Sequence, residues 1–355
     1  MRHKIKCVSP FLGLLLLIVS TQATSALPRE SIVLDPSTGD YTINYLDYPD
    51  SPDAQLRQAI FVPATKIDPV VRSEFKLREE SEIVYSFRIT NGSKSKQALI
   101  GMVFYPVTSI ISSAPQPMPD QNLDPSALKE IYAARAADLA TPAGWGGTNF
   151  ERQVGKLRIS WGYENLESPL NGLAPGKAQG GFGFSSKDIP GIGIAQLDGH
   201  SPVPMFPAEG PTGELAKEFA PIEQNDFVRR NAAVPAIAVP DPFDPAVTLE
   251  RIQTQMHTWI AMQLLDSAFS AQLDRYFQSA ISAYRLNQPK VGKKQIQTMH
   301  ELIKKEQPEA DLEDDSDGNG DEGKTKHALI DKLAARVLDF DLKYVTKRAS
   351  GNKDD

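Results

Sequence analysis

Asp315, Asp317 and Asn319 stand at alternate positions ahead of Gly320 and Asp321, a spacing that could hold a divalent cation. Counted from Asp315 they fill positions 1, 3, 5, 6 and 7 of a calcium loop, where hard oxygens close on the ion and glycine permits the sharp turn. Position 12 of such a loop is a bidentate glutamate; here it is Lys326, whose ammonium cannot ligate a cation. Pro308 also interrupts the helix that should lead into the loop. The run from Asp311 to Glu322 is acidic throughout, which is the composition of a solvated linker. The sequence is therefore read as having no cofactor and no metal site. If calcium binds at all, Asp315, Asp317, Asn319 and Asp321 are the residues that would hold it.

Other chemistry is sparse. After the first 26 residues the histidines are His200, His257, His300 and His327, no two of them four apart on a helix face. There is no His-Glu-x-x-His pair for zinc, no Gly-x-Ser-x-Gly elbow for a nucleophilic serine, and no phosphate loop. Gly191-Ile-Gly-Ile lacks the third glycine and the following helix of a dinucleotide site. The single cysteine, Cys7, lies in the N-terminal segment, so no thiolate is expected elsewhere. Glycoside hydrolysis needs two carboxylates about 5 to 10 Å apart, and 45 acidic residues neither single out nor exclude such a pair. No catalytic residue is assigned.

Residues 1–26 read as a cleavable export signal. Arg2, Lys4 and Lys6 precede the apolar core Phe11 to Val19, and Thr24-Ser25-Ala26 offers small residues for cleavage. That core is far shorter than the roughly 20 residues that span a bilayer. Removing the signal takes the basic count from 38 to 35 against 45 acidic residues, a mature charge of −10. Such a chain is a poor partner for nucleic acid or an anionic membrane. No membrane insertion is expected after signal removal, and the protein is expected in the periplasm or outside the cell.

The elements that would position any site fall in two styles. From 27 to 200 the pattern is β. Ile83, Tyr85, Phe87 and Ile89 alternate with mostly polar neighbours, Asn91-Gly92 follows as a hairpin signal, and Ala98 to Val107 returns. Leu157, Ile159, Trp161 and Tyr163 repeat the period, as do Phe182 and Phe184, while Trp145 reads as a loop residue closing the core. A helical insertion is expected near 124–140, capped by Asp124. Residues 201–245 hold nine prolines and read as a linker. From 246 to 348 the period becomes 3.6, with Leu249, Ile252, Met256, Trp259 and Ile260 on one stripe, around the acidic loop 311–323. A polar tail, 349–355, follows. The fold class is α+β in two domains, a β-sandwich and then an antiparallel helical bundle.

Tyr85-Ser-Phe-Arg-Ile-Thr-Asn-Gly, Pro142-Ala-Gly-Trp145, Ile159-Ser-Trp161, Leu173-Ala-Pro-Gly176, Gly181-Phe-Gly-Phe-Ser185 and Ile189-Pro-Gly191 resemble an immunoglobulin-like sandwich of uncharacterised secreted bacterial proteins. Leu265 to Tyr284, Lys293 to Lys305 and Leu329 to Tyr344 resemble FIMAH-type helical modules of exported bacterial proteins, although Asp311 to Glu322 widens the loop before the last helix. These resemblances imply an exported, non-catalytic module and transfer no active site. The expected role is a non-enzymatic binding or structural one in the cell envelope or extracellular space, with a protein or glycan partner. The alternative is a hydrolase of envelope or polysaccharide material.

The acidic loop yields a direct test. At roughly 20 mM, above the Kd of weak extracellular calcium modules, calcium should raise the melting temperature no more than magnesium does. A calcium-selective rise that disappears in Asp315→Ala and Asp317→Ala overturns the linker reading.

Overall fold

The alternation of Ile83, Tyr85, Phe87 and Ile89 puts four large side chains on one face of a strand, and all four are buried. The computed structural model describes residues 30–47, 55–78, 81–110, 139–153, 156–164, 172–201, 213–306 and 328–351. Among them the fold is mixed α and β, with three antiparallel sheets and five helices. Strands β4 (Pro69–Leu77), β5 (Ile83–Asn91) and β9 (Ala178–Ser186) form one sheet in the order β4-β5-β9. Strands β6 (Leu99–Val107), β7 (Trp145–Gln153), β8 (Lys156–Tyr163), β10 (Ile189–Gly199) and β11 (Val228–Ile237) form a second in the order β11-β10-β6-β8-β7. Aromatic rings join the two sheets face to face: Phe87 lies 4.5 Å from Phe104 and Trp161 stacks on Phe184 at 6.3 Å. Trp145, expected in a loop, begins β7 and meets Phe182 edge-on at 5.1 Å.

Asn91-Gly92 does not close a hairpin. β5 pairs with β4 and β9, while β6 pairs with β8 and β10, so the turn carries the chain from one sheet to the other. Asn91 is fully buried, and its Nδ2 donates to the carbonyls of Gln97 and Leu173, both at 2.8 Å. It clamps the crossing from inside, where a hairpin asparagine would sit at an exposed tip.

A smaller sheet, β1 (Ser31–Leu34), β2 (Tyr41–Asp47) and β3 (Gln55–Phe61), packs Ile43, Tyr45 and Phe61 against helix α1 (Gly213–Gln224) through Leu215 and Phe219. Four further helices follow: α2 (Pro245–Ala261), α3 (Ser267–Arg285), α4 (Pro289–Glu306) and α5 (Lys332–Ala349). Asp244, Asp266 and Asp331 cap α2, α3 and α5 by accepting from the first free backbone N–H groups. Of the expected stripe, Leu249, Ile252, Met256 and Trp259 are fully buried, whereas Ile260, next to Trp259 and so turned about 100° away, is exposed.

The segment 201–245, read as a linker, instead contains α1 and β11. Strand β11 pairs with β10 from Val228 to Ile237, and Pro235 is tolerated because β11 lies at a sheet edge. Ala232, Ala233 and Val234 are consecutive and all buried, so no alternation announces the strand. That pattern belongs to strands covered on both faces. Helix α2 lies against this end of the sheet, where Gln255 Nε2 donates to Ile192 O, while α5 docks on β4 of the other sheet, where Phe340 meets Phe75 edge-on at 5.1 Å and Arg336 lies over Phe75. One apolar core therefore runs unbroken from the sheets into the helices, and the expected two-domain division is not confirmed. The helical insertion lies outside the described residues except for Leu139 and Ala140, as do the signal and the acidic loop.

Phe340 tests that continuity. Phe340→Ala should cost about 3 kcal/mol, the lower end for a buried phenylalanine, because the ring is only half-buried. The far-ultraviolet helical signal and the near-ultraviolet signal of the Trp161 cluster should lose midpoint together. A helical transition that moves alone would refute a shared core.

Candidate functional site

Helix α4 opens on Pro289 and carries Lys290, Lys293 and Lys294 near its start, with no acidic residue in its first turn. A positive side chain in the first turn opposes the helix dipole, which applies to Lys290, while Lys293 and Lys294 lie beyond that turn. Lys293, Gln297, His300 and Lys304 recur at helical spacing on one face of α4, opposite Lys343, Thr346, Lys347 and Ser350 of α5. Two adjoining depressions of about 410 and 420 Å³ share His300 and Lys343 and together make a groove between the helices. Its lining holds four lysines and one histidine against two carboxylates, Glu301 and Asp339.

The centre of the groove is pre-arranged. Asp339 Oδ1 lies 2.9 Å from His300 Nδ1, and Lys343 Nζ donates to Asp339 Oδ2 at 2.6 Å. Burial alone would raise the Asp339 carboxyl, but the hydrogen bonds from His300 and Lys343 outweigh it and hold it below its usual range. With Nδ1 engaged, Nε2 is the ring nitrogen left for a ligand. The lining hydroxyls are committed elsewhere: Thr346 Oγ1 donates to Leu342 O and Ser350 Oγ to Thr346 O, both at 2.9 Å. Among the described lining residues, then, His300 has an orienting carboxylate and no nucleophile.

The other described histidines stand apart. His257 Nε2 lies 2.8 Å from Asp274 Oδ1, which also accepts from Gln253 Nε2 at 2.6 Å, a polar strap between α2 and α3. His200 directly follows β10, with its backbone N–H donating to Ala98 O. Asp315, Asp317, Asn319 and Asp321 lie outside the described residues, as does His327. Among the described residues no group of three or more His, Cys, Asp or Glu could hold a metal, and no helix is long and apolar enough to cross a membrane.

Two further carboxylate clusters were not foreseen. On the outer face of the larger sheet, Gly101, Gly162 and Gly146 stand side by side on β6, β8 and β7, next to Asp198 of β10. The Asp198 carboxylate lies over Gly101 and the Glu164 carboxylate over Gly146, while nothing lies within 4 Å above Gly162. Burial, and then the charge of Asp226, pushes the Asp198 carboxyl up, with Arg158 opposing. The second cluster sits where α5 meets the sheets. Tyr85 Oη donates to Asp188 O at 2.8 Å, and Asp188 accepts from Ser109 Oγ at 2.6 Å and from Val239 N at 3.0 Å. Asp341 completes it with 0% exposure, and neither of its carboxylate oxygens has a hydrogen-bond partner among the described residues. Burial pushes the Asp341 carboxyl well above its ordinary range.

Comparison with known proteins leaves these sites unassigned. No family model matches the chain, and a search of curated proteins returns no match. A search of solved structures returns an uncharacterized protein from Nocardia farcinica whose crystal structure reveals an immunoglobulin-like fold. The two share 15% identity over 47% of this chain and 98% of that one, with a TM-score of 0.23. A superposition of that quality carries no argument about fold or function. Nothing in these comparisons bears on the FIMAH-type resemblance of the helices.

Asp341 makes a signed prediction. An unfolded aspartate ionises near pH 3.9, about the value in free peptides, whereas the native carboxyl holds its proton to higher pH. The native state therefore binds the extra proton, and stability falls as pH rises from the unfolded value through the native one. Asp341→Asn should gain on the wild type as pH increases from 4 to 8, because the amide has no charge to desolvate, by about 1.4 kcal/mol for each pH unit by which the native carboxyl lies above the unfolded one. Denaturant melts across that range check it, and a difference that is flat or shrinks with pH would refute it.

Proposed function

We propose that this chain is an exported, non-catalytic binding protein. An immunoglobulin-like sandwich carries the helical unit, and the groove between α4 and α5 receives an anionic partner. The basic start and short apolar core of residues 1–26 support export. The inward aromatic stack of two antiparallel sheets supports the sandwich reading. The observation that carries the binding role is the groove itself. Lys293 and Lys304 of α4 and Lys343 and Lys347 of α5 converge on a His300–Asp339–Lys343 network. Binding is favoured over hydrolysis because Thr346 and Ser350 donate to their own helix, which leaves His300 without a hydroxyl to activate.

A second reading, hydrolysis of a polysaccharide, is supported by Asp198 and Glu164. They lie over glycines two strands apart, about 10 Å by strand spacing, at the upper edge of the separation for an inverting carboxylate pair. The raised Asp198 would be the acid and Glu164 the base. Turnover of an envelope polysaccharide by the wild type, lost in Asp198→Asn, would establish it over the binding reading.

The binding reading is checked by amide chemical shifts during titration with phosphate and with citrate. Shifts should concentrate at Lys293–Lys304 and Lys343–Gly351. They should disappear in Lys293→Gln/Lys347→Gln, which leaves the Asp339–Lys343 pair intact and the melting temperature unchanged. Shifts spread over the surface, or none at millimolar anion, would refute it.

A further inference from the structure

We propose that the ligand of the α4–α5 groove is a linear acidic polysaccharide bearing carboxylates at intervals, as a uronate chain does; this rests on the anion-binding reading above. The groove is long. From Lys293 to Lys304 along α4 is about 16 Å at 1.5 Å per residue, and both depressions are continuous through His300 and Lys343. A single small anion would use one part of it.

The lining alternates in character. Lys293 and Lys347 mark one end, Lys304 the other, and Lys343 the middle, with Gln297, Thr346, Glu301 and Asp339 between them. Neutral polar groups and carboxylate oxygens between point charges suit a ligand that presents hydroxyls between its anions. The two carboxylates would accept from sugar hydroxyls but repel a densely charged chain. The cations are lysines and a histidine with no arginine among the described lining, so they act as point charges and not as forks for planar bidentate capture. The whole chain is acidic, with a net charge of −7, which also penalises a sulfated glycan or a nucleic acid of high charge density.

An acidic peptide is the competing occupant. Peptides that dock between helices anchor apolar side chains in the groove. The apolar residues lining this one, Ile296 and Ile303, are 1% and 2% exposed, so they give a peptide nothing to bind.

Calorimetric titration of the full chain tests this with galacturonate oligomers of one, three and six sugars. Parallel arms use neutral dextran oligomers, heparin fragments and a glutamate hexapeptide. Affinity should rise at least tenfold from the single sugar to the hexamer, weaken with salt, and fall at least tenfold in Lys293→Gln/Lys347→Gln. Heparin, dextran and the peptide should each bind at least tenfold more weakly than the hexamer. No gain with chain length, or a heparin, dextran or peptide affinity equal to the hexamer's, would overturn the proposal. If phosphate and citrate still map to the groove in that case, the anion site stands and only its ligand is wrong. If no anion maps there, both fall.

Discussion

Where residues 189–192 of β10 pair with residues 233–237 of β11 the sheet is buried on both faces, and the placement of α2 follows from that constraint. Ile189 and Ile192 of β10 and Ala232, Ala233 and Val234 of β11 leave almost no polar side for water there, whereas Gln196, Asp198, Arg229 and Arg230 stay partly or fully exposed at the other end. Antiparallel sheets commonly keep one solvated face; this end of the sheet cannot, so its outer side must be covered. Helix α2 supplies that cover, with Gln255 donating to Ile192 O, and α5 docks on β4 of the other sheet through Arg336 and Phe340. Small residues make the approach possible. A side chain at Gly191 would come within 2.7 Å of Ala236 Cβ and 3.1 Å of Gln255 Cγ. The sandwich and helices share one core for this reason, and neither would be satisfied alone.

The same packing explains where polar chemistry is tolerated. α5 presents one side to the sheets and the other to α4. On the sheet side sits Asp341, a carboxyl with no hydrogen-bond partner among the described residues and a standing cost to stability. On the α4 side sit Asp339, Lys343 and Lys347, half-exposed and arranged into a groove. Residues 339 and 341 are two apart on a helix and so face different ways. One turn of α5 thus carries a buried liability and a solvent-facing site whose backbone is held by the core.

Much of this was legible in the sequence where the period was clean. Ile83 to Ile89 and Leu249 to Trp259 alternate or stripe as a one-sided element should, and they fold that way. β11 was not legible because two-sided burial erases alternation and its prolines imitate a linker. α1 was missed for a related reason: only Leu215 and Phe219 are buried, and Pro221 lies inside the helix. Asn91-Gly92 misled because the side chain turns inward to bind two carbonyls, which the dipeptide alone does not reveal. The groove draws on residues some fifty positions apart, so no motif spells it. Two local signals were nevertheless present. Lys293, Gln297, His300 and Lys304 recur at helical spacing on α4, and Asp341 interrupts the apolar stripe of Val337, Leu338, Leu342 and Val345.

The acidity of the chain and the basicity of its groove act over different distances. At physiological salt a charge is screened beyond about 8 Å, so the lysines of α4 and α5 act on what is already close. Before that, an approaching anion meets the average field of a chain with net charge −7. Densely charged polymers are turned away there, while sparsely charged ones lose less on approach and can then be held at short range. Such a site selects by charge spacing, which requires that the cations keep fixed positions along the ligand. α5 is pinned to the sheets by Phe340 and Arg336 and α4 is packed on α3 and α5, so the spacing is set by the same core that β10 and β11 demand. Selectivity for a spaced polyanion would then be a property of the packed fold, since loosening α5 would change the distances between lysines even with every lysine in place.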